Sequence, residues 1–163
     1  IEPIFFLRKF QKDHQKYDGK NAVFFDKEYY IAPRPRVKEF LGLASLHFTL
    51  VAFSVVEKEI TLQKLTMMGL EGFFLKVYGK ENLIDNKKSL KIIGDDLGIP
   101  LQDITAIDDT PAIFMETSEI IPIKPFYIGK EEYEYQEHQD NLMGALRQAL
   151  RIPQAIEVIP SIL

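Results

Sequence analysis

The sequence predicts an α/β domain in which a mostly parallel sheet is flanked by helices. Short, continuous apolar runs (Ile4–Leu7, Phe48–Phe53, Ile104–Ile107) alternate with longer amphipathic stretches, as strands buried on both faces alternate with the helices that cover them. Two of the runs stop abruptly at small polar or acidic residues, FTLVAFS at Ser54 and ITAIDDTP at Asp108 and Asp109. A parallel strand delivers side chains in this way to the carboxyl edge of its sheet, where open α/β folds bind ligands. No repeat, linker or low-complexity tract divides residues 1–163, so the chain reads as one domain.

Taken in order, Ile4–Leu7 reads as a buried first strand. Arg8–Lys20 is polar, holds five lysines and arginines, and ends in the turn signal Asp18-Gly19. Ala22–Ile31, rich in Val, Phe, Tyr and Ile, suggests an extended hairpin arm. Pro33 and Pro35 bar a helix at once, but Pro35 suits a first helical turn. Arg36–Ala44 should then be a short helix with Val37, Phe40 and Leu41 inward. Phe48–Phe53 is the second buried strand. Glu57–Met68 carries Ile60, Leu62, Leu65 and Met68 at mostly helical spacing, with Gly69 as its stop. Phe73–Tyr78 is apolar enough for another strand. Lys87–Leu97 is an amphipathic helix with Leu90, Ile93 and Leu97 on one face. Ile104–Ile107 is the next central strand, followed by a turn, a short helix near Pro111–Met115, and a short apolar run at Ile120–Ile123. Gly129–Gln139 reads as a charged loop and Asn141–Leu150 as a helix, while Ala155–Leu163 could lie as a tail along the core.

Composition excludes several function classes. With 20 basic and 24 acidic residues the net charge is −4, which is not the footprint of a general nucleic-acid binder. The absence of cysteine removes disulfides, a thiol nucleophile and cysteine zinc sites. No apolar run approaches the ~18 residues of a membrane span, and residues 1–10 lack a signal-peptide layout.

Three constellations could carry chemistry. A Ser54 hydroxyl between strand and helix can bind a phosphate oxygen, with N–H groups of the following helix as further donors, or it can simply cap that helix. Asp108 and Asp109 are costly neighbours at a strand end unless a cation or hydrogen-bond donors offset them, which suits Mg²⁺; the other reading is a turn whose carboxylate caps the helix at Pro111. Lys87 or Lys88 could neutralise a phosphate in the same crevice, or be a solvated first helical turn. His14, His47 and His138 have no mutual ligand spacing. The acidic run Glu131, Glu132, Glu134 and Glu137 reads as a solvated loop or, failing that, a partner surface.

The order of YYIAPRPRVKEFL (Tyr29–Leu41), LVAFS (Leu50–Ser54), NKKSLKIIGDDL (Asn86–Leu97) and ITAIDDTP (Ile104–Pro111) resembles the haloacid-dehalogenase superfamily. Within it, the chain is similar to the RNA polymerase II C-terminal-domain phosphatases and their relatives, which include the receptor subunit of the mitochondrial inner-membrane presequence translocase. The resemblance covers essentially the whole chain. It implies a Rossmann-like domain with a small flap hairpin and no large cap. It places Ser54 where the phosphoryl group binds, Lys88 (with Lys87 as neighbour) at the phosphate-neutralising lysine, and Asp108 and Asp109 at the acids that help hold Mg²⁺.

The departure is in the first strand. The family's D-x-D-x-T supplies a nucleophilic aspartate and an acid/base aspartate, whereas the best placement here puts Phe6 and Arg8 in those slots. A phenyl ring cannot attack phosphorus, and a guanidinium is neither a base nor a metal ligand. Residues 1–12 contain no Asp, and their only acid is Glu2. The expectation is therefore a phosphatase-like domain with no catalytic residue and no cofactor, retained to bind proteins within a multi-subunit complex. Arg8, Ser54 and Lys88 would be the remnant of its phosphate pocket. The translocase relative implies mitochondria as the compartment. The alternatives are a live Mg²⁺-dependent phosphatase with Asp26 as nucleophile and Glu28 as acid/base, and a non-catalytic phosphate or phosphopeptide binder.

Overall fold

Three strands at the amino-terminal side, Phe5–Lys9 (β1), Val23–Phe25 (β2) and Tyr29–Pro33 (β3), form an antiparallel sheet in the order β1-β3-β2. Phe5 lies opposite Pro33 and Lys9 opposite Tyr29, while on the other side of β3 Phe25 pairs with Tyr29. The computed structural model describes residues 33–116, 120–124 and 141–150 in full, and the backbone of 5–9, 23–25 and 29–32. The hairpin arm expected over Ala22–Ile31 is present. The expected first parallel strand is not: the IFFL run is taken up by the same antiparallel arm. An unbroken apolar run is compatible with either pairing, and five consecutive antiparallel pairs with the aromatic-rich β3 decide it here.

Beyond Pro33 the chain turns into a helix, Val37–Ser45 (α1), through Arg36 in the left-handed region at φ 60°. Val37, Phe40, Leu41 and Ala44 are buried, as the 3.6-residue period requires. The strand Val51–Phe53 (β4) pairs in parallel with Lys76–Tyr78 (β5), connected by the helix Lys58–Met67 (α2). The expected inner face of α2 is corrected: Leu62 is 41% exposed, and Thr61 and Lys64 are buried beside Leu65. Its apolar residues do not share one stripe, so contacts with the neighbouring elements select the face. Gly69 closes this segment at φ +66°, a conformation that favours glycine.

The helix Leu90–Leu97 (α3) ends at Gly98, also left-handed, and leads through a short 3₁₀ turn to Ala106–Asp108 (β6). β6 pairs in parallel with Ile120–Pro122 (β7), and the last helix, Leu142–Leu150 (α4), returns over the core. Phe40, Leu41 and Ala44 of α1 share one buried cluster with Ala145, Leu146 and Ala149 of α4. The tail expected over Ala155–Leu163 and the loop Gly129–Gln139 lie outside the described residues.

The parallel strand pairs and helices are those of an α/β fold, but the described strands form three separate sheets rather than one. No described strand stands between β4 and β6. Instead a cavity of about 310 Å³ lies there, walled by Leu50, Val51 and Phe53 on one side and Ile104, Ala106 and Ile107 on the other.

Candidate functional site

The carboxyl ends of β4 and β6 converge on Lys88. Its Nζ donates to Asp108 Oδ2 at 2.9 Å, and both side chains are 1% exposed. The same ammonium lies 6.0 Å from the Phe53 ring and 5.4 Å from the Phe114 ring, so one side chain joins the last residue of β4 to the last residue of β6. The structure answers the choice left open for the lysine pair. Lys87 is exposed, whereas Lys88 is buried and precedes the helix rather than opening it. In so apolar a surrounding either group alone would be costly to bury, and the contact between them offsets part of that cost.

Lys88 is held by its backbone as well. It forms an isolated bridge with Phe114, its N–H donating to Ile113 O and its carbonyl accepting from Met115 N, each at 2.9 Å. Asp108 Oδ1 accepts the Thr110 N–H at 2.7 Å, so both carboxylate oxygens are engaged within the protein. Asp109 is half-buried, and its carboxylate accepts the Thr110 hydroxyl at 3.3 Å. Burial first, and then the neighbouring Asp108 charge, push the Asp109 carboxyl above its ordinary value, against the downward pull of Thr110 and Arg34.

Ser54 follows β4 and is 3% exposed. Its N–H donates to Tyr78 O and its Oγ accepts the Val56 N–H, both at 3.0 Å. The hydroxyl therefore stabilises the turn two residues on, whereas the N-cap of α2 is Glu57. One of the further donors expected from that helix is also committed: the Lys58 N–H is shared by the two Glu81 carboxylate oxygens, at 3.2 and 3.1 Å.

The structure thus brings Ser54, Lys88, Asp108 and Asp109 to the ends of β4 and β6. It does not bring β1 there by strand pairing: Arg8 stands opposite Tyr30 in the antiparallel ladder, and its side chain lies outside the described residues. Asp26 and Glu28 lie outside them too, but the strand before Asp26 runs antiparallel to β3, not parallel beside β4 or β6. Two residues with a part in the site were missed. Arg34, 1% exposed, donates to the Lys124 carbonyl and lowers the Asp109 pKa through its charge. Glu116 fastens the start of α3. The only sequence signal for Arg34 was a basic residue held between two prolines, and Glu116 had none.

The family implies Mg²⁺. Among the described residues no three His, Asp or Glu side chains converge as a ligand set. Mg²⁺ takes oxygen ligands in near-octahedral geometry, but Asp108 already spends one oxygen on an ammonium and the other on a backbone N–H. An ion held by Asp108 and Asp109 would have to share or displace those two contacts.

With two parallel strand pairs and a lysine–aspartate pair at their ends in place, comparison with known families is direct. The family model of NLI interacting factor-like phosphatases matches residues 5–153. The chain belongs to that family. It is a haloacid-dehalogenase-like family of C-terminal-domain phosphatase type, in agreement with the resemblance drawn from the sequence. Among curated proteins, none matches the chain. Membership in the NLI interacting factor-like family makes this a phosphatase-like domain. None of the described helices is long and apolar enough to cross a membrane.

Proposed function

We propose that these 163 residues form a phosphatase-like domain that does not hydrolyse phosphoesters by itself and that serves as a protein-binding subunit of a larger assembly. The observation that carries the reading is the state of Asp108. Its two oxygens are satisfied by Lys88 and Thr110 inside the protein. No acid pair accompanies it on a parallel strand beside β4 or β6 among the described residues. Ser54 and Lys88 remain as a phosphoryl-binding remnant, in which the ammonium would exchange part of its contact with Asp108 for the incoming anion. The assembly rests on the resemblance to the translocase receptor subunit, which also implies a mitochondrial setting. An aryl phosphate assayed with Mg²⁺ should show no turnover above that of an Asp26→Asn variant. Metal-dependent turnover abolished by that substitution would replace this reading with the Asp26 phosphatase.

A second reading is favoured by the cavity between β4 and β6. Once β1 belongs to the antiparallel arm, Phe6 and Arg8 no longer occupy the slots of a nucleophile and its acid/base partner, and the place between the two parallel pairs is open to a strand that carries acids. In this reading the site becomes hydrolytic when such a strand is seated. A D-x-D peptide added to the 163-residue chain with Mg²⁺ separates the two: turnover only in the presence of the peptide supports the second reading, and no turnover removes it.

A further inference from the structure

Residues 88–91 run alongside residues 113–116 through an unbroken series of hydrogen bonds. Lys88 N–H donates to Ile113 O and Met115 N–H to Lys88 O. Immediately beyond them the Glu116 carboxylate takes three donors: the Ser89 hydroxyl at 2.9 Å, the Leu90 N–H at 3.0 Å and the Lys91 N–H at 3.3 Å. Ser89 is the N-cap of α3, yet its side chain makes no capping bond to its own helix. The cap comes instead from a residue 27 positions further along the chain. A carboxylate at a helix start satisfies N–H groups that have no intrahelical partner and faces the positive end of the helix dipole. Burial would raise the Glu116 pKa, but the hydrogen bonds from Leu90, Ser89 and Lys91 outweigh it and hold the carboxyl below its ordinary value.

Lys88 is therefore held at both ends. Asp108 takes its ammonium, Ile113 and Met115 take its backbone, and Glu116 fixes the three residues that follow it. A lysine ammonium on a four-carbon stem reaches many positions unless its backbone is fixed. Here its position decides whether the charge sits between the ends of β4 and β6.

We propose that Glu116 is a positioning residue for the phosphoryl site, holding Lys88 in place by anchoring the start of α3. The proposal rests on the assignment of Lys88 as a phosphate-neutralising group, and its test separates the two. Calorimetry with inorganic phosphate is compared between the wild-type chain and Glu116→Gln, alongside the NMR signal of the ¹⁵N-labelled Lys88 ammonium. The glutamine keeps a carbonyl acceptor, so the variant folds, but it loses the charge and one accepting oxygen. Phosphate should bind about three- to tenfold more weakly, the scale of one ordinary hydrogen bond, and the Lys88 ammonium signal should shift and broaden through faster exchange with water. An unchanged Lys88 signal overturns the proposal, whether or not phosphate binding has weakened, because Glu116 would then not act through the lysine. If wild-type protein binds no phosphate, the functional reading fails, and the Lys88 signal alone decides whether Glu116 positions it.

Discussion

Lys88 and Asp108 face each other at 2.9 Å with 1% of either side chain exposed, at the carboxyl end of β6. A buried ion pair of this kind owes little of its value to net stability, since desolvation offsets much of the attraction. Its importance lies in what happens when one partner is lost. Lys88→Met should cost about 3–5 kcal/mol by stranding a buried carboxylate. Lys88→Met combined with Asp108→Asn should recover most of that. Urea unfolding of the two variants checks this, and equal losses in both would mean that the pair is not coupled as described.

Asp109 gives a pH dependence of defined sign. Its folded-state pKa is raised above the ordinary aspartate value of 3.8 by burial and by the Asp108 charge. The folded state then binds the proton more tightly than the unfolded chain, and stability falls as pH rises from about 3.8 through the folded value. Asp109→Asn should therefore raise the melting temperature at pH 7 by about 1–3 °C, and the gain should vanish under strongly acidic conditions. A gain independent of pH would point to packing rather than charge.

Glu116 has the opposite sign. Its carboxyl titrates below the ordinary glutamate value of 4.5, so its contribution is present above that value and is lost as pH falls through the folded pKa. Thermal unfolding of Glu116→Gln should show a deficit at neutral pH that closes as the solution is acidified. At neutral pH the expected loss is about 1 kcal/mol, the scale of a helix cap.

Gly79 follows β5 and lies against the backbone of Lys58 at the start of α2. A Cβ built there would stand 2.6 Å from the Lys58 Cα and closer still to the Lys58 nitrogen. These are backbone atoms that cannot swing aside, and Lys58 N is the group that Glu81 accepts from. Gly79→Ala should destabilise the domain by about 1–3 kcal/mol, as overpacking does, with amide exchange accelerated first in the opening turn of α2. Wild-type stability in this variant would show that the turn adjusts freely.

Much of the scaffold was legible because the signals were local. The periods of Val37–Ala44, Leu90–Leu97 and Leu142–Leu150 gave three helices and their buried faces, and Gly69 and Gly98 marked stops that the structure realises with positive φ. The placement of Ser54, Asp108 and Asp109 followed from where apolar runs ended, and that of Lys88 from the family resemblance. Pairing was another matter. IFFL reads equally well as a parallel or an antiparallel strand, because its partner is chosen by residues more than twenty positions away. The face of α2 misled for a related reason: its apolar residues follow no clear period, so tertiary contacts decided which were covered. Arg34 and Glu116 acquire their roles only across the fold, one through the Lys124 carbonyl and the other through the start of α3.

The glutamates at the two helix starts beside the site have a consequence for any anion that enters. Glu81 already occupies the first N–H of α2, and Glu116 those of α3. A phosphate arriving at Ser54 therefore does not meet bare helix ends; it meets ends that the protein has neutralised with its own carboxylates. Attraction must then come from Lys88, and the domain carries two resident competitors for the role of anion. Selectivity in such a pocket is set less by total positive charge than by which visiting group can displace an internal one.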